Sequence, residues 1–150
     1  MRDVEVRRHV AAPAERVWAV VTDLAGSPQV VRGIHAVEVL TPGEFGVGTR
    51  WRETRTVLGR SATEEMTVTA VEPQRSYTTE AVRPGVRYLS TVAVTPAGDG
   101  GSDLVMTFGA RPTSTVTRVL GAVTGPLGRR AVTRALEADL ADLAAAAERS

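Results

Sequence analysis

Val4, Val6 and Val10 alternate with polar residues, and this period of two predicts a strand over residues 3–10. The pattern then lengthens. In "AAPAERVWAVVTDL", residues 11–24, Val17, Val20, Val21 and Leu24 recur at helical spacing and share one face. Pro13 suits the first turn of that helix, where its missing N–H would have no intrahelical partner. Gly26 and Pro28 end it, and "QVVRG" suggests a second, short helix. From Gly33 to Arg111 the period returns to two, broken by turn residues. This predicts antiparallel strands at about 34–41, 48–58, 61–71, 75–82, 86–95 and 102–111. Pro84 and Gly85 fit the central positions of a type II turn. Beyond Pro112 the pattern is helical again. Gly125-Pro126 separates a segment of about 114–124 from a helix of about 127–148, whose stripe is Val132, Leu136, Leu140 and Leu143. No repeat or linker interrupts the chain, which reads as one domain over residues 1–150.

A long antiparallel sheet with one long amphipathic helix must bury one face against it, an α+β arrangement. The turns suggest the register. A two-residue turn at Gly59-Arg60 sets Trp51 opposite Val68, Glu53 opposite Met66 and Arg55 opposite Glu64. In the last hairpin Val94, Val92 and Ser90 oppose Leu104, Met106 and Phe108. Tyr77 and Thr79 share parity with Ala81, and Tyr88 with Val86 and Ser90. The inner face thus collects Trp51, Glu53, Arg55, Glu64, Met66, Tyr77, Thr79, Tyr88, Ser90, Met106 and Phe108. An apolar surface with a few polar groups set into it is the composition of a ligand pocket, and also of many half-buried sheets. Several alternatives stay open. Arg55 and Glu64 form either a cross-strand ion pair or a ligand contact. Tyr77 and Tyr88 are either core aromatics with a wet hydroxyl or hydrogen-bond donors to a ligand. Glu53 turns to water if the register slips by one, Trp51 is packing or recognition, and His35 reaches the pocket or stays on the surface.

Composition narrows the chemistry. The hydrophobic share of 43% and charged share of 23% over 150 residues are those of a globular protein. Eighteen basic and 17 acidic residues are spread along the chain, without the concentrated basic face that nucleic-acid binding needs. No apolar run approaches the ~20 residues of a membrane span, and "MRDVEVRR" lacks a signal-peptide core, so a cytoplasmic protein is expected. Cysteine is absent, which excludes disulfides, thiolate catalysis and cysteine-built zinc sites. Lysine is absent too, which excludes a lysine Schiff base and a P-loop lysine. The Arg, Ala and Val bias is that of GC-rich bacterial coding. His9 and His35 are too few for a His-rich metal site, and neither metal nor cofactor is expected. "GEFGVGTR" has glycines at 43, 46 and 48 but is followed by strands, so it fails as a phosphate loop.

"VRRHVAAPAERVWAVVTDL", "VEVLTPGEFGVGTRWRETRTVLGR", "VTAVEPQRSYT" and "LEADLADLAAAAE" resemble, in this order and spacing, the START-like SRPBCC superfamily. Within it the chain is similar to bacterial polyketide cyclase/dehydrase-like proteins, over about residues 3–148. The resemblance implies a helix-grip fold: a curved seven-stranded antiparallel sheet around a long C-terminal helix, with two short helices after strand one closing the cavity. Members bind lipids, hormones, polyketides and other hydrophobic molecules, and some cyclise or aromatise polyketides, so membership alone does not settle function. The first reading is a protein that binds a small hydrophobic, polyketide-like or aromatic molecule in a deep cavity. If an enzyme, it would cyclise, aromatise or dehydrate that molecule through an enol. Arg55 would then be the fixed cation, Tyr77 and Tyr88 hydroxyl donors, and Glu53 or Glu64 the base. The alternatives are a non-catalytic carrier or sensor, and a protein-interaction module using the cavity rim.

Overall fold

Val10 and Ala147 are both fully buried, and between them the first strand and the last helix frame the core. The computed structural model describes residues 3–57, 59–113 and 126–149, apart from the side chain of Val57. The expected segment at 114–124 lies outside the described residues. The elements run β1 (Val4–Val10), α1 (Ala14–Thr22), α2 (Ser27–Val30), β2 (Ile34–Val39), β3 (Arg50–Val57), β4 (Arg60–Glu72), β5 (Ser76–Arg83), β6 (Val86–Pro96), β7 (Ser102–Pro112) and α3 (Pro126–Arg149). The strands form one curved antiparallel sheet of seven, in the order β1-β7-β6-β5-β4-β3-β2. This is the helix-grip arrangement that the resemblance implied.

Local chemistry explains the elements. Pro13 is the N-cap of α1 rather than its first helical residue, and its carbonyl accepts from Arg16 N and Val17 N at 3.0 and 3.2 Å. Val17, Trp18 and Val21 are the buried side of α1. Gly85 has φ +82°, the left-handed conformation that the Pro84-Gly85 turn requires. Ser90, Val92 and Val94 pair with Phe108, Met106 and Leu104, the register expected for the last hairpin.

The β3–β4 register is a correction. Val57 pairs with Arg60, so Arg60 belongs to β4 and not to the turn. Gly59 has φ +79°, the positive φ that a tight hairpin turn favours and glycine supplies. Trp51 therefore faces Met66, Glu53 faces Glu64 and Arg55 faces Ala62. Each partner moves by two residues, so every side chain keeps its expected face.

On α3, Leu140, Leu143, Ala144 and Ala147 are buried, and Val132 and Leu136 pack half-buried against the same core. The stripe read from the sequence is the gripped face. Glu148 Oε2 accepts the Ala11 N–H at 2.9 Å and ties the end of α3 to the end of β1. Asp142 does the same for the α2–β2 loop, accepting from Arg32 N at 3.0 Å and Arg32 Nη2 at 3.2 Å. Among the described residues, no helix is long and apolar enough to cross a membrane.

One end of the sheet is closed by aromatic packing. Tyr77 meets Trp18 of α1 edge-on at 6.1 Å and Phe45 of the β2–β3 loop at 4.9 Å between ring centroids. The buried Tyr77 hydroxyl donates to the Val21 carbonyl at 3.0 Å, fastening α1 to β5. Tyr77→Phe is expected to leave that carbonyl without its partner and to cost about 1–3 kcal/mol. Urea titration of both proteins measures this; an unchanged midpoint would mean that packing alone holds α1.

Candidate functional site

Alternation along β3 sends Trp51, Glu53 and Arg55 to the concave face, and α3 crosses that face carrying Asp139. The result is a chain of hydrogen bonds from sheet to helix. Trp51 Nε1 donates to Glu53 Oε1 at 3.2 Å. Arg55 Nε donates to Glu53 Oε2 at 3.1 Å, and Arg55 Nη1 donates to Asp139 Oδ2 at 3.2 Å. The side chains of Arg55, Glu53 and Asp139 are only 23%, 17% and 9% exposed. The guanidinium is thus shared between two carboxylates, each supplied by a different element. Among the described residues, none accepts from Arg55 Nη2. Gly33 lies over the pair: a Cβ on it would sit 3.8 Å from Asp139 Oδ1 and 3.9 Å from Arg55 Nη1.

Burial pushes the Asp139 carboxyl up to about 6, because removing a carboxylate from water disfavours its charged form. Arg55 opposes this shift, while Glu53 and Asp142 add to it by repulsion. Burial also weakens the charged form of Arg55, but the adjacent Asp139 and Glu53 outweigh it and hold the guanidinium above its ordinary range. The Tyr77 phenol is raised well above its ordinary value, chiefly by burial and further by the Glu53 charge.

The expected Arg55–Glu64 pair is not formed. The two-residue shift places Ala62 opposite Arg55, and Glu64 instead accepts from Arg83 Nε at 2.6 Å, with Arg83 Nη2 close to the same oxygen. Arg55 remains on the inner face, with Asp139 and Glu53 as its carboxylate partners. His35 is exposed and bonds Thr56 Oγ1 at 2.6 Å on the outer face, so it does not reach the interior. Trp51, Tyr77 and Thr79 are buried, and Met66, Ser90 and Met106 are half-buried on the inner face. Tyr88 and Phe108, also half-buried, stack at 5.6 Å with planes 19° apart.

Asp139 was missed. Its signal was present: it falls three residues after Leu136 and four before Leu143, within the apolar stripe itself. A carboxylate on the gripped face of a helix needs a cation from the sheet, and Arg55 is that cation.

Away from this network, His9 lies between Asp99 at 3.0 Å and Asp103 at 3.2 Å, beside a surface cleft of about 220 Å³. Asp99 Oδ1 also accepts the Gly101 N–H at 2.8 Å, so these polar groups already serve one another.

The model of the family described as polyketide cyclase/dehydrase and lipid transport matches residues 1–148. The chain belongs to that family. Comparison with curated protein sequences finds no match. Among solved structures, the Zhui aromatase/cyclase from Streptomyces sp. R1128 is 26% identical, with a TM-score of 0.74 over 99% of this chain and 94% of that one. A protein from Thermus thermophilus is 22% identical, with a TM-score of 0.78 over 97% of each chain. A START superfamily protein from Mycobacterium smegmatis is 20% identical, with a TM-score of 0.70 over 98% of this chain and 94% of that one. The last two share the fold of this polyketide cyclase/dehydrase family member.

Proposed function

We propose that this chain takes a small hydrophobic, polyketide-like molecule inside the grip and catalyses its cyclisation and aromatisation, with Arg55 and Asp139 as the catalytic pair. The observation that carries the reading is the buried pair itself. A carrier of apolar molecules gains nothing from it, because burying such ions costs more than an apolar lining would. A carbon acid does need it: a carboxyl near neutrality to move a proton, and a fixed cation where oxyanion charge develops. The likeness to an aromatase/cyclase supports the same class of substrate.

With a poly-β-ketone in place, the Asp139 carboxylate removes a proton from a carbon between two carbonyls. The Nη2 edge of Arg55 holds the enolate oxygen that forms. The enolate carbon attacks a second ketone in the same chain, making a carbon–carbon bond and an alkoxide. Asp139 returns its proton to that oxygen, and loss of water leaves an unsaturated ring. Tyr88 and Phe108 offer a stacked aromatic wall for the flat product.

The test uses a synthetic poly-β-ketone thioester with product detection by mass spectrometry. The parent protein should convert it to a dehydrated ring. Arg55→Met should still bind a fluorescent apolar probe and fail to convert the ketone. A parent protein that binds the ketone and returns it unchanged is a carrier. Conversion at an unchanged rate by Arg55→Met removes Arg55 from the chemistry.

A further inference from the structure

Glu53 stands where the polar chain turns from packing to chemistry. One oxygen is fixed by the indole of Trp51, itself only 3% exposed, and the other takes the Nε–H of Arg55. The guanidinium is therefore held at its Nε edge by the sheet before α3 is considered. Nη1 reaches Asp139 at 3.2 Å, and no hydrogen bond runs from Nη2 to either carboxylate. The Asp139 contact is thus a single hydrogen bond rather than the bidentate fork that a guanidinium otherwise favours.

We infer that Glu53 is a positioning residue: it fixes the Nε edge of Arg55, shares that cation with Asp139, and so leaves Asp139 able to exchange a proton. This role rests on the proposed chemistry for its purpose, but not for its physical content. Without Glu53, Arg55 would serve Asp139 alone and lock it as a carboxylate.

The groups facing Asp139 bear on this from each element. β3 supplies Arg55 and Glu53. The helix itself supplies Asp142, whose oxygens are taken by Arg32 of the α2–β2 loop. Across the sheet, Glu64 of β4 lies opposite Glu53 but is engaged by Arg83 of β5, and β5 also brings the Tyr77 phenol. Glu53 is thus the carboxylate that competes with Asp139 for Arg55. Its repulsion is also among the influences that raise Asp139.

The experiment follows the Asp139 carboxyl by carbon-13 NMR in the ligand-free protein, with its signal identified by its loss in Asp139→Asn. Glu53→Gln keeps an acceptor oxygen but removes the charge. The Asp139 midpoint should then move to lower pH by about one unit, as expected when a competing carboxylate is removed from a shared cation. Glu53→Asp keeps the charge and should restore most of the parent midpoint. An unmoved midpoint in Glu53→Gln, or equal behaviour of the Gln and Asp variants, overturns the role. If Glu53→Gln does not fold, the Arg55 Nε–H carries the test. It should exchange far more slowly, in the parent and in Glu53→Asp, than the Nε–H of Arg32, whose side chain is 88% exposed. Exchange as fast as at Arg32 overturns the role. The readouts also separate the two claims. A shifted midpoint in a protein that never converts the ketone leaves Glu53 in place and removes the cyclase reading. Conversion with an unshifted midpoint does the reverse.

Discussion

Asp139→Asn is expected to lower turnover of a poly-β-ketone by about 10²–10⁴-fold, the range for losing a positioned proton-transfer group. It should also remove a pH dependence of stability. The Asp139 carboxyl titrates at about 6 in the folded protein, against 3.8 for an ordinary aspartate. Between these values the folded state holds a proton that the unfolded chain has released. Stability from this group is therefore fully present below about pH 4 and is lost as pH rises through about 6. A shift of this size corresponds to about 3 kcal/mol across the window. The asparagine amide of the variant is neutral throughout and contributes no such slope.

Other acids slope the opposite way. Asp3 is lowered by its hydrogen bond to Arg111, and Asp99 by the Gly101 N–H. Both are common to parent and variant, so they cancel in the difference between the two proteins. Urea titrations of each from pH 4 to pH 7 should show the parent losing ground on Asp139→Asn as pH rises. A constant difference would mean that Asp139 is ionised throughout that range and paired too well to act on a proton.

The elements were readable from the sequence because their signals are local, while their arrangement as a helix grip came from the family resemblance. Period-two runs gave the strands, the Pro84-Gly85 turn gave a hairpin, and the stripe from Val132 to Leu143 gave the gripped helix. The β3–β4 register was less readable, because "LGRS" admits two positions for a two-residue loop and only the backbone at Gly59 chooses between them. Its error of two residues preserved the faces, so Trp51, Glu53 and Arg55 were placed inward with the wrong partners opposite. The Arg55–Asp139 pair joins residues 84 positions apart. Nothing in the spacing of either segment points to the other. A carboxylate inside an apolar stripe was the visible half of that signal. Its partner required knowing that α3, packed on β1, brings Asp139 within reach of the Arg55 side chain from β3. Tyr77 illustrates the same limit from the other side: parity sent it inward, but only the position of α1 shows that its hydroxyl is committed to Val21.

Leu140→Ala is expected to cost about 2–5 kcal/mol, since Leu140 is only 2% exposed and its removal leaves a cavity that rigid surroundings fill poorly. Those surroundings are well tied. α3 packs on β1 and α1, Glu148 bonds the chain just after β1, and Asp142 bonds the α2–β2 loop. A helix fastened at both of these places cannot slide to close the void. The same helix provides a control: Leu127 is 80% exposed, and Leu127→Ala should stay within about 0.5 kcal/mol of the parent. Urea midpoints for the two variants, read at an unchanged slope, give the comparison directly. A loss at Leu140 no larger than at Leu127 would mean that α3 is not gripped by the sheet. Asp139, one residue before it, would then have no buried site in which its proton could be held.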